Sequence, residues 1–303
     1  MNKILIGPAS FGEINSDAEI NLEKHGFKLL KNEHGRKLTT QELLDIFNDK
    51  EIIGAIAGLE EYSKEIISIS NLKVISRLGS GMDNIDLKEA KRNEVSVFST
   101  PDGPTDSVAE LVIGMMISLS RKVWDMSYEM KSGVWNRSYG NLIQNKQVTL
   151  VGYGRIGKKV HNLLQSFGCK INIVDPNIRD SDITNKLDLE KALAVSDIIS
   201  FHVDKNIEII NKDNIDTIKK GCIILNSSRG NIIGEECIIY GIKNKIISCA
   251  WLDVFKTEPY KGKLSDFSEI VLTPHIGSLT IDARLKMEKE SAENIINFFN
   301  KSF

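Results

Sequence analysis

Three glycines, Gly152, Gly154 and Gly157, stand in the run from Val148 to Val160 with the spacing G-x-G-x-x-G. An apolar run precedes them and helical spacing follows. A second apolar run, Ile171 to Val174, ends at the acid Asp175. This order suits a dinucleotide. Gly152 allows a tight turn, Gly154 lets backbone approach a pyrophosphate, and Gly157 lets a helix pack on the strand. The N–H groups at the start of that helix would face the phosphates. Asp175 is placed to bind both ribose hydroxyls and to repel a 2′-phosphate, which points to NAD over NADP. The next residues, Pro176 and Asn177, add no cation, although Arg179 is near.

Three later segments carry polar residues where strands should end: Asn226-Ser227-Ser228-Arg229-Gly230, Leu252 to Pro259, and Thr273-Pro274-His275-Ile276-Gly277-Ser278. In an open parallel sheet, ligands bind outside the carboxyl ends of strands. An arginine, a carboxylate and a histidine would converge there, which suits hydride transfer to a 2-oxo acid. Arg229 can hold a carboxylate and polarise a ketone oxygen. His275 can give the proton that an alkoxide requires. Glu258 favours the protonated imidazole, so that it acts as an acid near neutral pH. Singly, each residue has a plainer explanation: a surface salt bridge, a turn, a structural histidine. Jointly, in this order and behind a dinucleotide fingerprint, they read as chemistry.

The elements that must position these residues alternate. Strands are expected at Ile4 to Ile6, Lys28 to Leu30, Ile52 to Ala57, Lys73 to Arg77 and Val95 to Phe98. Helical spacing covers Ala18 to His25, and a capped helix Thr40 to Phe47. Such alternation predicts a parallel sheet with helices on both faces. Pro101-Asp102-Gly103-Pro104 is the sharpest break, read as the crossover into a second domain. One long helix is predicted from Ser107 to Lys131. After the fingerprint, strands are expected at Asp197 to Val203, Cys222 to Asn226, Ile246 to Trp251 and Ile270 to Thr273. A helix from Thr280 to Asn300 closes the chain and can return to the first domain. The domains are therefore taken as 1–98 with 282–303 for substrate, and 99–281 for the nucleotide.

The 303 residues suffice for two cores. A formal net charge of -2 gives no sign of a nucleic-acid or membrane surface. The four cysteines lack C-x-x-C spacing, and three sit in apolar runs, reading as buried reduced thiols. No secretory segment and no membrane span are expected, which places the chain in the cytoplasm. No metal site is expected.

The chain resembles the D-isomer-specific 2-hydroxyacid dehydrogenases, the family that includes D-3-phosphoglycerate dehydrogenase. The marks are Arg77 to Asp86 (RLGSGMDNID), Ser107-Val108-Ala109-Glu110-Leu111, the fingerprint and the three polar segments. The resemblance implies an α/β fold of two Rossmann-like or flavodoxin-like parallel-sheet domains with an active-site cleft between them. It implies an NAD-dependent enzyme interconverting a D-2-hydroxy acid and its 2-oxo acid. Arg229 would bind substrate, Glu258 tune the histidine and His275 carry the proton. Backbone at Ser80 and Gly81 would receive the substrate carboxylate. Arg155, Ile156, Asp175, Ser227, Ser228 and Asp253 would contact NAD, the last at its carboxamide, with Gly277 and Ser278 beside them. The long helix and its following loop would form a homodimer, with Arg137 reaching the neighbouring subunit's substrate. The family also holds corepressors that sense NAD(H) without turnover, the alternative function.

Two departures stand out. Members often carry Pro-Leu-Thr after the strand at His202; here Val203-Asp204-Lys205-Asn206 follows and the loop is shorter, which leaves its cofactor contacts open. Where members have Val-Asp, this chain has Ile233-Gly234, so the helix cap is sought elsewhere, with Glu235 the candidate. For the substrate, Arg137 could supply a charge for a phosphate, whereas Glu60 and Glu61 could repel one or face solvent. With the last residue at 303, no appended regulatory domain is expected.

Overall fold

A computed structural model describes residues 2–179 and 185–301. The chain forms two compact units: Met1–Pro104 with Ser278–Phe303, and Thr105–Gly277. In the first unit, β1 (Lys3–Ile6), β2 (Lys28–Lys31), β3 (Ile52–Ala57), β4 (Val74–Arg77) and β5 (Ser96–Ser99) form a parallel sheet. Its order is β2-β1-β3-β4-β5. The apolar runs set this arrangement. Ile4, Leu5, Ile6, Ile52, Ala55, Ile56, Val74 and Ile75 are all buried, as strands covered on both faces require. One face packs under α2 (Thr40–Ile46), α3 (Lys64–Ile69) and α4 (Leu87–Arg92), the other under α1 (Asp17–Lys24) and the closing helix, α10 (Ile281–Lys301). The cap expected on α2 is a full capping box: Thr39 accepts from Glu42 N–H, and the Glu42 carboxylate accepts from Thr39 N–H.

The second unit opens with a correction. The single helix predicted from Ser107 to Lys131 is two, α5 (Thr105–Ser120) and α6 (Val123–Lys131). Lys122, at φ 54°, takes the left-handed conformation between them. The reason lies in the returning chain. Asn141 N–H donates to Ser120 O at 2.7 Å, and Gly140 packs so tightly on Arg121 that a Cβ would sit 2.6 Å from its Cα. The last carbonyl of α5 is thus taken from outside the helix. α5 is buried along Val108, Ala109, Val112 and Met116, whereas α6 buries no residue.

The second sheet contains β6 (Gln147–Val151), β7 (Lys170–Val174), β8 (Ile198–Phe201), β9 (Cys222–Asn226), β10 (Ile247–Leu252) and β11 (Ile270–Leu272). It is parallel, in the order β11-β10-β9-β8-β6-β7. A single parallel bridge from Ile173 to Lys186 extends the β7 edge. α5 and α7 (Arg155–Gln165) cover one face. α8 (Leu189–Val195) and α9 (Glu235–Lys243) contribute to the other. Trp251 is fully buried in β10, and its indole N–H donates to Thr273 Oγ1 at 2.9 Å, so the ring is buried with its polar atom satisfied.

Glu235 does not cap α9. Gly234 is the N-cap and makes no side-chain bond, while Glu235 Oε1 accepts from Lys263 N–H at 3.1 Å. The carboxylate is engaged across the loop instead. Cys222 and Cys237 are buried and Cys169 and Cys249 half-buried, and all four are free thiols. Among the described residues, no helix is long and apolar enough to cross a membrane.

Candidate active site

The glycine-rich turn leaves β6 at Val151. Gly152 has φ +95°, which an L side chain rarely adopts, and a Cβ there would stand 2.6 Å from His202 O. At Gly157 a Cβ would overlap Gly152 O, so the helix can approach the strand only without a side chain. Gly154 differs: nothing lies within 4 Å of its missing Cβ. It is the N-cap of α7 and, as a glycine, supplies no side-chain cap to the first turn. The result is open space at the positive end of a helix, which suits an anionic pyrophosphate.

Asp175 stands directly after β7. Its Oδ2 accepts Tyr153 N–H at 2.8 Å and its Oδ1 accepts Asn177 N–H at 2.8 Å. The carboxylate is therefore fastened to the glycine turn itself. A carboxylate offers about four acceptor directions, so two remain for a pair of ribose hydroxyls. Arg155 is exposed and Ile156 half-buried at the start of α7. These residues fit a dinucleotide.

The three polar segments follow β9, β10 and β11, which are neighbours in the sheet. After β9, the Asn226 side chain builds the turn. Its Oδ1 accepts Ser228 N–H at 3.0 Å and Ser228 Oγ–H at 2.8 Å, and its Nδ2 donates to Arg229 O at 2.8 Å. The Arg229 guanidinium donates to Ser228 O at 2.8 Å. Ser227 Oγ is buried with no hydrogen-bond partner. A Cβ at Gly230 would overlap the Phe255–Lys256 backbone, so this glycine permits the Arg229 turn to lie on the loop that carries Glu258. Asn226 O also accepts Asp253 N–H at 2.9 Å.

After β10, Glu258 Oε1 accepts Phe255 N–H at 3.0 Å, which fixes the carboxylate. Its Oε2 lies 2.9 Å from His275 Nδ1. With a carboxylate accepting at Nδ1, the proton that can exchange with a ligand is the one at Nε2. The imidazole is 42% exposed, so it is within reach of a ligand. His275 has φ 55°, an uncommon conformation for a residue with a Cβ, and its N–H donates to Thr273 O at 2.9 Å.

What holds that turn is Asp253, which is fully buried. Oδ1 accepts Thr273 Oγ1–H at 2.5 Å and Ile276 N–H at 2.9 Å, and Oδ2 accepts Gly277 N–H at 2.8 Å. Ser107, at the start of α5, donates its hydroxyl to Gly277 O at 2.7 Å. These anchors, with Asn226, are positioning residues that sequence reasoning missed or put to other use. A polar residue at the end of an apolar strand was the available signal.

The other expected site residues belong to other segments of the chain. Ser80 is exposed and Gly81 half-buried after β4, in the first unit, and Ser278 begins that unit's closing segment. Arg137 is exposed in the irregular segment after α6. In the shortened loop region, His202 buries both ring nitrogens without a partner, and burial lowers its pKa to about 4. Among the described residues, no group of three His, Cys, Asp or Glu is placed to hold a metal ion.

Comparison with known proteins gives the family. Residues 113–277 match the family model described as D-isomer specific 2-hydroxyacid dehydrogenase, NAD binding domain. A hydroxypyruvate reductase of Thermotoga maritima is 32% identical over 289 residues, covering 90% of this chain and 94% of that protein. A D-3-phosphoglycerate dehydrogenase of Synechocystis is 34% identical over 268 residues, covering 85% of this chain and 48% of that protein. The chain thus spans about half the length of that relative. A crystal structure from Thermus thermophilus superimposes with a TM-score of 0.86 at 25% identity, covering 97% of this chain and 96% of the other.

Proposed function

The chain belongs to the D-isomer specific 2-hydroxyacid dehydrogenases, and from that premise we propose that it is an NAD-dependent oxidoreductase interconverting a small D-2-hydroxy acid and its 2-oxo acid. The observation that carries the proposal is the His275 Nδ1 to Glu258 Oε2 contact of 2.9 Å, at strand ends beside the Arg229 turn and in the same sheet as the glycine cradle. The cradle fits NAD: Gly152, Gly154 and Gly157 with the first turn of α7 would hold the pyrophosphate, and Asp175 the ribose. Arg155, Ile156, Ser227, Ser228, Gly277 and Ser278 are further contacts in this reading. Asp253 is the contact to the carboxamide in the same reading.

NADH, when bound, supplies the hydride. The residues do the rest. Arg229 grips the substrate carboxylate and polarises the ketone. The backbone at Ser80 and Gly81 receives the carboxylate, and Arg137 is a further substrate contact. As negative charge develops on the ketone oxygen, His275 gives it the Nε2 proton. Glu258 keeps the Nδ1 proton engaged throughout, so the neutral ring that remains can take a proton at Nε2 in the reverse direction.

The same reading makes the protein a cytoplasmic homodimer. α6 and the segment after it expose Trp124, Tyr128, Met130, Trp135, Tyr139 and Leu142. A C2 contact would cover one such patch with its copy. The four free thiols suit a reducing compartment. Two measurements test the proposal: NADH oxidation with glyoxylate, pyruvate and hydroxypyruvate, and light scattering at micromolar protein. Absence of turnover on every acid would leave the non-catalytic NAD(H)-sensing alternative.

A further inference from the structure

The segment that carries Glu258, from Phe255 to Tyr260, belongs to no strand or helix. Its shape is therefore set by what packs against it. The Arg229 turn lies on one side, where Gly230 meets the Phe255–Lys256 backbone. Tyr260 closes the segment from its far end. Its ring stacks on that of Phe255, with centroids 4.5 Å apart and planes inclined by 23°, an attractive arrangement for two aromatic rings. Phe255 is also the residue whose N–H donates to Glu258 Oε1. The stack and the anchor of the carboxylate thus share one residue.

Tyr260 is held in turn. Its Oη accepts Leu264 N–H at 3.0 Å. Burial raises the pKa of this hydroxyl, and donation to the Glu235 carboxylate of α9 raises it further. Glu235 also accepts Lys263 N–H, so α9 and the short turn Lys263–Asp266 are tied around the phenol. Gly262 lets the ring lie back over its own chain, since a Cβ there would overlap Tyr260 Oη. Leu264 is buried, and Phe255 and Tyr260 both pack on the core cluster to which it belongs. From Glu258 the support runs through Phe255 and Tyr260 into the core of the second unit.

We propose that Tyr260 is a positioning residue for proton transfer: its ring fixes Phe255, Phe255 fixes Glu258, and Glu258 fixes the His275 imidazole. The inference rests on the dehydrogenase reading above and extends it to a side chain that works only through Glu258. A proton donor must lie within hydrogen-bond reach of the oxygen it protonates. A displacement of about 1 Å there can cost about 10²-fold in rate. Without the stack, Phe255 N–H is no longer held where Oε1 needs it, and the imidazole inherits the error.

The test follows reduction of whichever of glyoxylate, pyruvate and hydroxypyruvate turns over fastest, at saturating NADH. Wild type is compared with Tyr260→Leu, Tyr260→Phe, Glu258→Gln and the double variant Tyr260→Leu with Glu258→Gln. Rates are expressed per NADH-binding site, counted by fluorescence titration, so unfolded protein does not enter them. Tyr260→Leu should lower kcat by about tenfold to 10²-fold with little change in KM for the 2-oxo acid. Tyr260→Phe keeps the stack and should restore most of the turnover. The double variant should be no slower than Glu258→Gln alone, because a residue acting only through Glu258 then has nothing left to position. Gly262→Ala displaces the ring with Tyr260 still present, should act like Tyr260→Leu, and replaces it in the cycle if Tyr260→Leu does not fold. A kcat near wild type in Tyr260→Leu or Gly262→Ala overturns the inference. So does a Tyr260→Phe as slow as Tyr260→Leu, or losses that multiply in the double variant, as a general loosening of the fold would give. Those results leave the dehydrogenase reading standing. Failure of the wild type to reduce any 2-oxo acid overturns that reading and the inference with it.

Discussion

His275 Nδ1 lies 2.9 Å from Glu258 Oε2, while the other oxygen of the same carboxylate accepts Phe255 N–H at 3.0 Å. Seventeen residues separate the pair in sequence, and neither belongs to a strand or helix. The contact exists because β10 and β11 are adjacent and in parallel register from Ala250–Ile270 to Leu252–Leu272. Each strand hands its next loop to the same edge, and the backbone bond to Phe255 then holds the carboxylate still for the imidazole.

His275→Ala is expected to lower kcat by about 10²–10⁴-fold, the range for loss of general acid catalysis. Arg229→Ala should damage both KM and kcat, because the arginine grips ground state and transition state alike. NADH binding, followed by fluorescence titration, should survive both changes, since the glycine cradle is a separate structure. Near-normal turnover in His275→Ala, at saturating cofactor, would assign the proton to another group.

Glu258→Gln takes away the carboxylate that lies 2.9 Å from His275 Nδ1 and leaves an amide in its place. The ring loses the partner that fixes its orientation, so kcat should fall in both directions while NADH binding survives. Steady-state rates of reduction and oxidation check this. A kcat equal to wild type in both directions would show that the contact is not needed for turnover.

Asp253→Ala should harm stability and turnover together. It leaves Ile276 N–H and Gly277 N–H without the acceptor they have now, and each unmade buried bond costs about 1–3 kcal/mol. Thermal unfolding should shift down by several degrees or more. The His275 turn loses its anchor, so kcat should fall even at temperatures where the variant is folded. A variant with unchanged melting and reduced NADH affinity alone would mean that the carboxylate serves only the carboxamide.

Asp175→Ala should raise KM for NADH and narrow the margin between NADH and NADPH, because the carboxylate that would oppose a 2′-phosphate is gone. Specificity constants for both cofactors check the claim. A wild-type preference for NADPH would remove the role given to Asp175.

His202 gives the fold an acid-sensitive point. Burial holds its pKa at about 4, below that of an exposed imidazole, so the unfolded chain binds the proton more readily than the folded one. The sign follows from linkage: this contribution to stability is complete above about pH 6.5 and is lost progressively as pH falls toward 4. His202→Gln should flatten the decline of melting temperature across that window. An unchanged slope would assign the acid sensitivity to other groups.

The amino-acid sequence by itself determined the alternating parallel-strand plan and the family. Apolar runs such as Ile52–Ala57 and Cys222–Asn226 coincide with β3 and β9 residue for residue, because a buried parallel strand must be apolar on both faces. The three glycines and Asp175 were legible because a tight turn, a close approach and a helix start each demand a residue type at a set spacing. What only the tertiary structure decided is where each polar side chain goes. Two neighbouring acids, Glu60 and Glu61, differ in nothing a periodicity can detect, yet one is enclosed by Gly7 and Gly58 and the other faces solvent. The helix read as continuous to Lys131 breaks at Lys122, because Asn141 takes the carbonyl of Ser120. Asp253 could be picked out as a polar residue at a strand end, but its bonds to Thr273, Ile276 and Gly277 run 20 to 24 residues down the chain. Local patterns encode elements through burial and backbone conformation. Partners across strands follow from sheet order and register, which no short stretch of chain contains.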